Sequence, residues 1–265
     1  NVTVDLISGV IGAIDHSKVI SNLPAGESFY YDQSLEGALP SGWYGSALVH
    51  ADPGGLITAV GNQFTGSHGL LTYPGFTDGY TEWVVPLYLS RLSNGYNSII
   101  AIQNVSGGTI PSGAISVTFT PDPSLSAAPF VKTLDFDLAN NATWTLNPRG
   151  SSAWPVNSFG AAKITSTGGN VVAIVNQLVN EPPYLRPSAL SYNAIPTNIT
   201  GQTVVVPLIM SRLTNGYSTV LTVANLTSSA GTCSFTYKPD PSLGLTDTVV
   251  TGVTLPASGS ILHNH

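Results

Sequence analysis

The side chains able to do chemistry are few and far apart. Five histidines, fourteen acidic residues and one cysteine are spread over 265 residues. The chain closes on His263-Asn264-His265, and "GSHG" places a further imidazole at His68. Such histidines could hold a metal or act as acid and base in a nuclease, but only beside carboxylates, and none lies close in sequence. The terminal triplet reads instead as the end of a strand, because "SILHNH" corresponds to "TWTLNP" and "SFYYDQ" elsewhere. His16, His50 and His68 have no counterparts in the second half of the chain. Asp135 and Asp137 in "DFD" share a face if that segment is a strand. Asp122 and Asp240 each sit in a "PDPSL" turn. Calcium takes about six to eight oxygens, so a solvated face and a capped turn are the readings set against it. Cys233 forms no intrachain disulfide and no C-x-x-C site. Its alternation with aromatics in "GTCSFTYKP" marks a buried core position, with a crosslink between chains as the functional alternative. No G-x-S-x-G, P-loop or H-E-x-x-H motif occurs. The expectation is a non-enzyme with no catalytic residue, metal or cofactor. Five N-x-S/T sequons, at Asn1, Asn104, Asn141, Asn198 and Asn225, are candidate glycosylation sites. A chain this rich in Asn, Ser and Thr produces about that many by chance.

Only 8% of residues are charged, against about 25% in an average globular domain. Ser, Thr, Asn and Gly supply the polarity, as in extracellular or fibrous proteins. The net charge is −6 and no basic stripe exists, so nucleic acid is not an expected partner. No apolar run is long enough to span a bilayer as a helix, so membrane insertion is not expected. The chain opens on Asn1 without a methionine, which suggests a processed or excised product.

The strongest feature is a repeat. "VVPLYLSRLSNGY" begins at Val84 and "VVPLIMSRLTNGY" begins at Val205, 121 residues later, with ten of thirteen letters identical. Beyond it, 97–125 matches 218–243 with a three-residue deletion in a Gly/Ser turn. Before it, "GWYGSALVHADPGGLITAVGNQ" (42–63) matches "NSFGAAKITSTGGNVVAIVNQ" (157–177), both ending in Asn-Gln. A third segment occurs three times, at 1–31, 116–146 and 234–262. The repeat is about 115 to 120 residues long, and the chain enters and leaves it part-way.

Short β-branched or aromatic runs such as "SIIAIQNV", "AISVTFT", "KTLDFDL" and "NVVAIVNQ" predict strands. Twenty-seven glycines and nineteen prolines separate them and disfavour helices. About seven strands per repeat predict an all-β fold of tandem Ig-like or fibronectin-like β-sandwich modules. Within the signature, Pro86 and Pro207 predict the start or edge of a strand. Asn94-Gly95 and Asn215-Gly216 predict tight turns, after which Tyr96 and Tyr217 begin the next strand. Arg91 and Arg212 either bond turn carbonyls or, with Tyr96 and Tyr217, contact an adjacent module or subunit.

The pattern "FGAAKIT…NVVAIVNQ…SYNA…VVVPLIM…NGYSTVLTVANL" resembles tandem β-sandwich repeats of secreted and cell-surface proteins of bacteria and archaea, of filament or adhesin type. The resemblance covers nearly the whole chain and implies an extracellular, mechanical or adhesive role, but it transfers no site residue. The expected organisation is a partial sandwich at 1–80, a complete module at 81–200 and a second partial sandwich at 201–265. Two incomplete sandwiches suggest strand donation between chains, as in pilin-type assembly, and hence a head-to-tail filament of identical subunits. Two alternatives stand beside it. One is an excised segment of a longer repeat protein. The other is a glycan-binding module using rings such as Trp43, Tyr44, Trp83, Trp144 or Trp154.

Overall fold

The computed structural model describes residues 1–64, 70–179, 189–199, 201–214, 216 and 218–264. Over these residues the chain is all-β, with antiparallel strands and no α-helix. β1 (Val2–Ser8), β2 (Ile14–Ile20) and β3 (Gly45–Ala51) form a sheet in the order β2-β1-β3. β4 (Val60–Phe64) and β5 (Leu70–Pro74) form a two-stranded ribbon. The central strands are β6 (Glu82–Ser90), β7 (Tyr96–Asn104), β8 (Ile115–Pro121), β9 (Phe130–Thr133), β10 (Thr143–Leu146), β11 (Ser158–Ser166), β12 (Val171–Val179), β13 (Ala189–Asn193) and β14 (Ile195–Pro196). They make two sheets, β14-β6-β11-β8-β9 and β10-β7-β12-β13. Last come β15 (Val220–Ala224), β16 (Gly231–Tyr237), β17 (Thr248–Leu255) and β18 (Ser260–Asn264), paired as β15-β18 and β16-β17.

The two central sheets enclose one core. β8 turns Ile115, Val117 and Phe119 inward, and β12 turns Val171, Ala173 and Val175 inward, at every second position. Phe119 stacks on Phe130 at 4.7 Å, and Trp154 meets both edge-on at 5.0 and 5.7 Å. Such geometry suits the ring quadrupoles, and burying each large apolar side chain contributes ~1.5–3 kcal/mol. Trp83 joins the sheets by donating its indole N–H to the Val171 carbonyl at 2.8 Å.

The strand pairings repeat, with β1 shifted by two residues from the letter-for-letter match of 1–31 with 116–146. Val4 faces Val49 and Ser8 faces Gly45 across β1 and β3, as Val117 faces Ile164 and Pro121 faces Gly160 across β8 and β11. Lys18 faces Val4 where Lys132 faces Val117. Asn62 faces Thr72 where Asn176 faces Ser191. Ala224 faces Ser260 where Gln103 faces Thr143. One close approach explains a repeated glycine. A Cβ on Gly160 would stand 2.2 Å from the Thr120 carbonyl oxygen, and one on Gly45 would stand 1.9 Å from that of Ile7.

Three local expectations are corrected. The signature is an arch and not a tight hairpin, because β6 and β7 belong to different sheets. Its left-handed residues are Arg91 (φ 49°) and Gly95 (φ 85°), while the Asn94 side chain accepts the Tyr96 N–H at 3.3 Å. Pro86 lies inside β6 and not at its start, with β11 on one side, while β14 pairs only with Trp83 and Val84 on the other. It is tolerated because Pro86 and Leu87 together oppose Ala161, a bulge where the ladder needs no N–H. Finally, β9 ends at Thr133, before the "DFD" run. Beyond it Leu134 and Leu138 enter the core while still bonding the backbone of Ile115 and Ile110, and Asp137 accepts the Ser112 N–H at 2.9 Å.

Candidate functional site

Among the described residues no three His, Cys, Asp or Glu side chains gather as a metal site. Among the same residues no helix is long and apolar enough to cross a membrane. His263 lies on β18 and stacks on Phe235 at 4.1 Å, while His68 and His265 fall outside the described residues. Asp122 and Asp240 cap their turns, each accepting from the serine two residues on, at 2.9 Å and 2.8 Å to its backbone N–H. At Asp240 the bonds from Ser242 favour the ionised carboxylate and hold it below its usual range. Cys233 is half-buried, and burial raises its thiol. Trp83, Trp144 and Trp154 are core residues and offer no platform for a sugar. Trp43 donates to Asp15 at 2.7 Å, and the Tyr44 ring is exposed.

The sequons divide into two kinds. Asn104 is fully buried, and its amide nitrogen donates to the carbonyls of Gly108, Leu138 and Ala139 at 2.7, 2.9 and 3.1 Å. Its oxygen accepts from the Ser106 N–H and hydroxyl at 2.9 and 2.7 Å. Asn225 builds the same turn, accepting from Thr227 and donating to the Ser229 carbonyl at 2.8 Å. The hydroxyl residue of both sequons therefore serves the turn. The Asn104 amide is thus buried and bonded within its own turn. Asn141 is half-buried with a left-handed backbone, φ 66°. Asn1 and Asn198 are exposed, and Asn1 donates to Asp52 at 2.9 Å.

Arg91 serves its own repeat. Its guanidinium donates to the Trp154 carbonyl at 3.4 Å, and its backbone N–H donates to the Asn97 side chain at 2.7 Å. Arg212 repeats the left-handed backbone with φ 46°. Tyr96 opens β7 opposite Val179. Tyr217 lies outside the described residues.

The two copies of the signature differ in what covers them. In the first, β6 is held between β11 and β14, and Val85 is 0% exposed. In the second, residues 203–211 form no strand, and Val204 and Val205 are 77% and 83% exposed. The cause is topological. Every ladder bond of β6 goes to β11 and β14, which follow it in the chain. β3 matches β11 in repeat position, yet among the described residues it pairs with β1 alone.

A polar clamp went unnoticed as such in the sequence. The bulge carbonyl of Leu87 accepts from the Gln177 amide at 3.0 Å and from the Tyr192 hydroxyl. Burial raises the Tyr192 phenol, despite the backbone bond that lowers it. The repeated Asn-Gln was its signal. The matching pair, Gln63 and Tyr73, has no such carbonyl: the Gln63 amide nitrogen donates only to the Tyr73 hydroxyl at 3.5 Å, while its oxygen accepts from the Asn176 amide at 3.0 Å. Burial raises the Tyr73 phenol too. Leu208, the match of Leu87, is exposed.

No family model matches the chain, and no curated protein matches it by sequence. A solved structure described as the crystal structure of Thermotoga maritima 1070 is similar over 44% of this chain and 95% of that one. Its TM-score is 0.35 and its identity 15%, a likeness too slight to define a shared fold.

Proposed function

We propose that the chain is a structural subunit of an extracellular filament or surface fibre. In this reading it is built from tandem Ig-like β-sandwich modules of about 115–120 residues, which complete one another head to tail. The observation that carries it is the contrast between the buried strand β6 and its exposed twin at 203–211. Leaving an apolar segment of this length in water costs free energy, and a sheet edge is its natural partner. A surface with 8% charged residues offers little repulsion between close-packed copies.

Negative-stain electron microscopy of the native material, with intact mass on the dissociated chain, tests this. Filaments of a chain near 27.5 kDa are the expected result. Filaments whose chain is several repeats longer would make the repeats links of one continuous fibre. Dispersed monomers would overturn the assembly reading and leave a glycan-binding role as its rival.

A further inference from the structure

Among the described residues two segments can donate a strand and two strands can accept one. The donors are β6 and residues 203–211, and the acceptors are β11 and β3. β6 and β11 satisfy each other. We infer that the second pair is satisfied between copies. Residues 203–211 of one chain add to the open edge of β3 in the next, and β15 adds to β4 in the second sheet. This rests on the filament reading and specifies its interface.

The register follows from the central repeat. Ile164 faces Trp83, Ala162 faces Val85 and Gly160 faces Tyr88. Transferred to the unpaired halves, Val49 faces Val204, Ala47 faces Val206 and Gly45 faces Ile209. In the second sheet Val175 faces Ile100 and Ile174 faces Ala101, which places Gly61 opposite Leu221 and Val60 opposite Thr222. Strand spacing of two per pleat then turns Val204 and Val206 to the core side, where Trp83 and Val85 lie in the central repeat.

Three features of the halves fit each other and not the halves alone. Gln63 and Tyr73 keep the clamp but lack its carbonyl, while Leu208 keeps the bulge carbonyl, beside Pro207 as Leu87 is beside Pro86. Docking brings them together as Gln177, Tyr192 and Leu87 are now. The central Lys163–Glu82 ion pair, 2.8 Å long, becomes Leu48 and Thr203, so neither half keeps an unmatched charge. The central Tyr88–Ser158 hydrogen bond, 2.8 Å long, becomes Ile209 and Trp43, apolar on both sides and with the sizes exchanged. Each substitution on one side is answered on the other.

The test is a cysteine pair in a Cys233→Ser background. Val49→Cys with Val204→Cys places the thiols opposite each other in the transferred register. Leu48→Cys with Val204→Cys is one residue out of step and faces the other side of the sheet. After mild oxidation, a denaturing gel of the first variant should show a ladder of covalent multimers. The second should show monomer, and excess synthetic peptide spanning 202–214 should shorten the first ladder. A disulfide formed within single chains would overturn the inference. So would equal ladders from both pairs, or filaments that form with no ladder. The last result leaves the filament reading standing with a different interface. A ladder in material that forms no filaments would keep the strand pairing and overturn the filament. Neither ladder nor filament would overturn both.

Discussion

Asn104 and Asn225 occupy one position of the repeat in two different settings, and removing each amide should have unequal consequences. Asn104→Ala deletes three donated and two accepted hydrogen bonds at a fully buried site. The damage is partly buffered. The Leu138 carbonyl keeps the Ile110 N–H at 2.9 Å, and that of Ala139 keeps the Ala142 N–H at 3.1 Å. The Ser106 hydroxyl retains the Gly108 carbonyl at 2.9 Å. The Ser106 N–H loses its partner, and a small void opens. At ~1 kcal/mol for each bond not replaced, plus the void, the cost comes to ~2–4 kcal/mol. Asn225→Ala removes a similar set where water can replace it, so its cost should stay below ~1 kcal/mol. Urea unfolding followed by tryptophan fluorescence suits the comparison, since Trp83, Trp144 and Trp154 all report on the central core. An Asn104→Ala midpoint within experimental error of the parent would refute the reasoning. So would an Asn104 side chain found glycosylated in native material.

Gly160→Ala should be among the most damaging single substitutions in the central sheets. Its Cβ would meet the Thr120 carbonyl oxygen at 2.2 Å on a backbone with φ 152°. We expect ~3 kcal/mol or more, read as a lowered urea midpoint. Alkali should weaken the same core. Burial pushes the Tyr88 phenol from 10 up to about 12, so the fold favours the neutral form. That contribution is complete below about pH 10 and disappears as pH rises through about 12, by at most ~3 kcal/mol. Tyr88→Phe should therefore flatten the decline of stability above about pH 10, and an unchanged slope would show that Tyr88 is not its source.

The sequence by itself determined most of the strands, the period and the capped turns. Alternation, Gly and Pro placement and the letter-for-letter copies are local properties, and local properties survive without a partner. The "PDPSL" turns illustrate this, since each is capped by its own aspartate wherever it occurs. Tertiary structure alone decided which identical segment becomes a strand. In "VVPL" the two valines are buried at 84–85 and exposed at 205–206, because a strand's hydrogen bonds lie on its neighbours and not within itself. It also decided that the signature arches between sheets, that Pro86 sits at a bulge and that Asn104 is a core residue. None of these follows from a residue type. Each depends on what the fold brings opposite it, which is also why the same Gln and Tyr form a closed clamp in one copy and an open one in the other.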